Sequence, residues 1–161
     1  MDEDPFICWR NILKKHYLFF DGAAKGNPGE AGGGGLLLDP NGHLVLCYAW
    51  GLGRDTNNKV EALALWQGLS QALIKNITDL VVFGDSRLII KALISQKLPN
   101  QFNLNQIFRK IKMLTTKFNS ISFFHILRNL KSSVDAEANR GVPLRKGALI
   151  ANDHERHDSI P

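Results

Sequence analysis

Four carboxylates stand out by where they fall along the chain. Asp21 closes the apolar run Leu18-Phe19-Phe20 and is followed at once by Gly22-Ala23-Ala24. Asp85 closes a second run, Leu80-Val81-Val82-Phe83-Gly84. Glu61 stands at the start of a helical pattern, within Thr56-Asn57-Asn58-Lys59-Val60-Glu61, and Asp135 follows a third apolar run, Ile121–Leu127. A carboxylate at the end of a buried strand carries a heavy desolvation penalty unless it meets a cation. Four acids converging without one would repel, and some would hold protons. Hard oxygen donors in that number suit Mg2+ or Mn2+. Two such ions about 3.5–4 Å apart can activate water and stabilise the leaving oxygen of a phosphodiester. The competing reading takes each acid alone: Asp-Gly is ordinary turn chemistry, and Glu61 favours a helix N-terminus electrostatically in any case.

Convergence requires particular elements. Tyr17–Ala23 reads as a first strand, turned at Asn27-Pro28-Gly29 into a second over Gly33–Leu38. Asp39-Pro40-Asn41-Gly42 is a strong turn signal, and it leads to a third strand, His43–Trp50. Short turns make these three an antiparallel meander. After a polar link, Gly51–Asn57, the period changes. Ala62, Leu65, Trp66, Leu69, Ala72 and Leu73 fall on one stripe of a helix over Asn58–Lys75, capped by Thr56 or Asn57. The fully apolar Leu80–Phe83 is a strand for the middle of a sheet. Helices over Arg87–Ser95 and Leu104–Lys117, a fifth strand over Ile121–Leu127 and a last helix over Ser133–Arg140 complete the pattern. The order β-β-β-α-β-α-α-β-α implies an α/β fold with a mixed five-stranded sheet, three antiparallel strands then parallel ones, flanked by helices. Residues 1–16 read as a lead-in with a short helical turn near Trp9–Leu13, residues 17–141 as one domain, and 142–161 as an extended tail. His125, inside the fifth strand, is expected to pack.

Charge narrows the partners. The 161 residues carry a net charge of +5, which suits a polyanion. From Ser86 through Val134 there is no acid at all, while Arg87, Lys91, Lys97, Arg109, Lys110, Lys112, Lys117, Arg128 and Lys131 lie there. Cys8 and Cys47 form no disulfide framework or metal spacing. No apolar run reaches the length of a membrane span. The acidic N-terminus does not read as a secretory signal, so the nucleus or cytoplasm is expected, with an organelle open. Neither G-x-G-x-x-G nor a G-K-[ST] loop occurs, and His154-Glu155-Arg156-His157 lacks the spacer of a helical zinc site.

Taken together, Asp21-Gly22-Ala23-Ala24-Lys25-Gly26-Asn27-Pro28-Gly29, Thr56-Asn57-Asn58 with Glu61, Gly84-Asp85-Ser86, and His125-x-x-Arg128 leading to Val134-Asp135 resemble the type 1 ribonuclease H family, most closely its plant, retroelement-derived branch. The likeness spans Tyr17 to Gly141. It implies endonucleolytic hydrolysis of the RNA strand in an RNA–DNA hybrid by a monomer. It also implies that Asp21 bridges two Mg2+ ions, with Mn2+ a substitute, that Glu61 and Asp85 complete one metal site and that Asp135 belongs to the other. Asn27, Thr56, Asn57, Asn58 and Ser86 match positions that hold the hybrid's backbone and 2′-hydroxyls, and small amides can both donate to and accept from such a group.

The chain departs from that pattern in places. The histidine-bearing loop of many members is here Arg128–Ser133, without histidine, and Arg128 is placed to neutralise developing phosphate charge. Lys131 stands where the plant branch has Asn, and Glu137 where an apolar residue is expected. The tryptophan-bearing basic protrusion is missing, leaving hybrid binding to the basic helices around Arg109–Lys117. The alternative is an RNase H fold that binds nucleic acid without turnover.

Overall fold

The computed structural model of the chain describes residues 15–26, 28–126 and 146–153. Strands β1 (His16–Gly26), β2 (Gly29–Leu38) and β3 (Leu44–Asp55) form the expected meander. Helix α1 (Asn57–Ile74) leads to β4 (Asp79–Gly84), then α2 (Arg87–Ser95), α3 (Phe102–Thr115) and β5 (Ser120–His125). The sheet has six strands where five were expected. Its order is β5-β4-β1-β2-β3-β6, with β4 and β5 parallel to β1. The sixth, β6 (Leu149–Asp153), pairs antiparallel with Leu46–Trp50 of β3, inside the stretch expected as an extended tail. Leu149-Ile150-Ala151 is a short apolar run, and an open edge strand is a ready partner for it. The helical turn near Trp9–Leu13 and the last helix over Ser133–Arg140 lie outside the described residues.

Alternation sorts the sheet into two faces. Leu18, Phe20, Leu37, Tyr48, Leu80 and Val82 point to the helical side and form one core with Leu65, Leu69, Ile89, Phe108 and Ile111. On the other face an aromatic row crosses three strands. Phe19 stacks on Phe83 with centroids 4.9 Å apart, and Phe83 meets Phe124 at 5.8 Å. Among the described residues no helix is long and apolar enough to cross a membrane.

Two boundaries differ from the sequence reading for physical reasons. The stretch Gly51–Asp55 is not a link, because the ladder between β2 and β3 continues past Trp50 through a bulge at Ala31/Gly32. Backbone pairing is indifferent to the polarity of the side chains there. Thr56 is the N-cap residue of α1, but its side chain makes no capping hydrogen bond. Glu61 lies past the first turn of α1, so the helix terminus does not account for it.

Glycine sets how closely α1 lies on the sheet. Tyr48 is buried and its hydroxyl donates to the carbonyl of Ala64 at 2.7 Å. A Cβ at Gly68 would come within 2.6 Å of that hydroxyl. A Cβ at Gly22 would sit 2.6 Å from Val60 Cγ1 and 2.9 Å from the backbone nitrogen of Glu61. Those distances cannot be met without moving the helix. Gly22→Ala is therefore expected to destabilise the protein by about 1–3 kcal/mol, the usual range for overpacking. Urea unfolding would read this, and an unchanged midpoint would show that α1 is not held this close.

Candidate active site

The register of two parallel strands does the first part of the work. Phe19 of β1 is paired with Phe83 of β4. Two residues further on in each strand direction stand Asp21 and Asp85, so both carboxylates emerge at the same end of the sheet. Asp21 is still within β1, opposite Gly34, and only 4% exposed. Asp85 is the first residue past β4. Helix α1, held against Gly22, supplies Glu61. Carboxylate oxygens of Asp21, Glu61 and Asp85 all lie within 4.8 Å of one another.

Such proximity has an electrostatic consequence. The Glu61 carboxyl is pushed well above its ordinary range, first by burial, then by the charge of Asp21 and a hydrogen bond shared with its side chain, then by Asp85. The backbone N–H of Gly22 donates to Glu61 and opposes that rise. Without a cation, burial and the neighbouring acids thus favour the protonated form of Glu61. Its Oε2 is shut off from solvent and has no hydrogen-bond partner among the described residues. A buried acceptor without a partner is rare and points to an atom that belongs there. Three hard carboxylates within reach of one another, one with an orphaned oxygen, fit a divalent cation of the Mg2+ or Mn2+ class. Burial, and after it the nearness of Glu61, pushes the Tyr48 phenol up.

The other expected residues are placed unevenly. Thr56, Asn57 and Asn58 are exposed at the start of α1, on the helix that carries Glu61. Ser86 follows Asp85 and its hydroxyl accepts from the N–H of Ile89 at 3.4 Å, capping α2. Asn27, Arg128 and Asp135 lie outside the described residues. His125 was expected to pack inside its strand, yet it is exposed and its Nε2 donates to the carbonyl of Asp85 at 3.0 Å. The N–H of Ile126 reaches the carbonyl of Gly84 at 2.9 Å. Together they tie the turn carrying Asp85 to the end of β5. The β4–β5 register, which pairs Gly84 with His125, is not encoded in local spacing, so this contact was not legible from the residues.

Comparison with known proteins places these features in a family. The family described as "Reverse transcriptase-like" matches residues 19–141. The chain is 33% identical over 126 residues to ribonuclease HI of Halobacterium salinarum, covering 78% of this chain and 63% of that protein. The crystal structure of RNase H1 from that archaeon superposes with a TM-score of 0.76, covering 79% of this chain and 96% of that one. A second solved structure, LC11-RNase H1 in complex with an RNA/DNA hybrid, is 27% identical with a TM-score of 0.75, over 80% of this chain and 96% of that one. The bifunctional protein Rv2228c of Mycobacterium tuberculosis is 28% identical over 120 residues, and the chain spans 33% of its length.

The raised Glu61 carboxyl predicts the pH dependence of stability without metal. A carboxyl whose folded value lies above its unfolded one stabilises the fold fully at pH below the ordinary 4.5. That contribution is lost as pH rises through the folded value. In chelator, the melting temperature should fall as pH rises from about 5 to 8, by more in wild type than in Glu61→Gln. Added Mg2+ should restore it in wild type. Parallel pH profiles for the two proteins would show that Glu61 carries no such strain.

Proposed function

The chain belongs to the type 1 ribonuclease H family, and from that premise we propose that it is a metal-dependent endonuclease that hydrolyses the RNA strand of RNA–DNA hybrids. The observation that carries the reading is the convergence of Asp21, Glu61 and Asp85 at one end of the sheet, with the Glu61 oxygen left without a partner. In this reading Asp21, Glu61 and Asp85 hold Mg2+, with Mn2+ a substitute, and Asp135 contributes to a second metal position. When bound, the two ions supply Lewis acidity and a water of lowered pKa.

The protein's own part is to position and discriminate. Asp21, deep in β1 and flanked by buried Phe20, gives the cluster a rigid base. Glu61, which shares a hydrogen bond with the Asp21 carboxylate, would bind a divalent cation in its ionised form. Thr56, Asn57 and Asn58 lie exposed on the same helix end, where amides and a hydroxyl can reach ribose 2′-hydroxyls, the groups that mark RNA. Asn27, Ser86 and Arg128 are assigned to the backbone of the same duplex. The hybrid bound by LC11-RNase H1 supports this choice of ligand. We take the protein as a monomer and keep the plant, retroelement-derived branch as part of the proposal.

The test is cleavage of an end-labelled RNA–DNA hybrid beside RNA–RNA and DNA–DNA duplexes. We expect cleavage of the hybrid's RNA alone, abolished by chelator and lowered at least about a hundredfold by Asp85→Asn, since each activating carboxylate is worth several kcal/mol to the transition state. Equal cleavage of all three duplexes would remove 2′-hydroxyl reading from the account. Tight hybrid binding with no cleavage in either Mg2+ or Mn2+ would leave a binding module in its place.

A further inference from the structure

The sequence assigned hybrid binding to the basic helix around Arg109–Lys117, where two of the four cations hold protein acceptors. Arg109 Nε donates to Asn105 Oδ1 at 2.7 Å, and Lys112 Nζ donates to the carbonyl of Gln96 at 3.2 Å. A different pair of cations stands closer to the carboxylates. Between α2 and the end of β5 lies a notch of about 370 Å3, lined by Arg87, Ile90, Lys91, Ile94, Ser95 and His125. Arg87 and Lys91 are four residues apart and share one helix face, as does Ser95 one turn on. Ile90, 2% exposed, forms the apolar floor, and Ile94, 62% exposed, the rim.

Three features single this notch out. Helix α2 contains no acid, and among the described residues neither Arg87 nor Lys91 has an ion pair or hydrogen bond; the ion pairs described are His43–Asp39 and Lys59–Asp55. Like charges at this spacing repel within an isolated helix, so the pair is stabilised when an anion sits between them. The notch is also joined to the site. His125, which forms its far wall, is the residue whose Nε2 donates to the carbonyl of Asp85. A group held in the notch is therefore one side chain away from the backbone that carries a metal-binding carboxylate.

We propose that this notch holds a backbone phosphate of the nucleic acid next to the bond being cut, with Arg87 and Lys91 as its cationic grip. The inference rests on the hybrid-binding reading above and assigns its phosphate contact to α2 rather than α3. Arg87, with its planar fork, suits two phosphate oxygens at once, while Lys91 acts as a point charge. His125 serves as the wall that fixes the distance between this phosphate and the carboxylates.

The experiment compares two charge-matched double variants of the full chain, R87Q/K91Q and R109Q/K110Q. Hybrid affinity is measured by fluorescence anisotropy in chelator, where no cleavage occurs, from about 50 to 200 mM salt. Steady-state cleavage is measured in Mg2+. We expect R87Q/K91Q to weaken binding about tenfold and to make the salt slope shallower by about 1–2. We expect KM to rise with a much smaller fall in kcat, and R109Q/K110Q to weaken binding less than about threefold. The swapped variant R87K/K91R, which keeps both charges, should recover most of the affinity. Equal losses in the two double variants, an unchanged salt slope, or loss in the swapped variant as large as in R87Q/K91Q would each overturn the notch while leaving hybrid cleavage intact. Wild-type protein that neither binds nor cuts hybrid would overturn both readings.

Discussion

Keeping three carboxylates within 4.8 Å of one another is the condition under which the rest of this structure has to be understood. Like charges at that separation repel strongly where water is scarce. The protein does not avoid this repulsion; it shows in the Glu61 carboxyl, which burial and its acidic neighbours push well above its ordinary range. The opposing free energy is at hand next door. Leu18, Phe20 and Leu65, all fully buried, flank the acids in sequence or space, and each such side chain contributes about 1.5–3 kcal/mol on burial. The core thus has the larger magnitude, and the acids are held where the sheet and helix put them.

Two geometric devices deliver the acids to one point. The first is the parallel register of β1 and β4, which sends Asp21 and Asp85 out of the sheet at the same level. The second is the absence of side chains where α1 crosses the sheet, at Gly22 and at Gly68 beneath Tyr48. Glu61 is then delivered by rigid-body placement of a whole helix, not by a loop. A shift in either would separate the oxygens.

How much of this could be read from the residues follows the same division. The grouping of Asp21, Glu61 and Asp85 was legible because each of these acids sat beside an apolar run or a helix start, a local conflict between burial and charge. The meander was legible from Asn-Gly and Pro-Gly turns, and α1 from its stripe of Leu65, Leu69 and Ala72. What could not be read was pairing between distant strands. His125 was taken for a packed residue because alternation alone puts it in a strand; only the β4–β5 register reveals that its ring reaches the carbonyl of Asp85. The basic character of the chain was plain, and Asn105 beside Arg109 follows from helical spacing, but the reach of Lys112 to the carbonyl of Gln96 is a contact that spacing does not announce. Likewise β6 is five residues long and acquires strand character from its neighbour.

That late strand has a bearing on the glycine-rich hairpin at the other end of the polypeptide. Gly32, Gly33, Gly34 and Gly35 in β2 present no side chains to their partners, so no side-chain pairing along that stretch sets its register. Its alignment is inherited from β3, through Leu36 against Cys47 and Leu37 against Leu46. The strand β3 is in turn clamped from outside, by Leu149–Asp153 along its length and by reciprocal backbone bonds joining Gly51 to Gly147 and Ala148. A slide of the hairpin would carry Gly34 away from Asp21 and alter the floor under the cluster. The last described segment of the chain therefore acts as a ruler for its first, keeping a stretch with no side-chain memory of its own aligned.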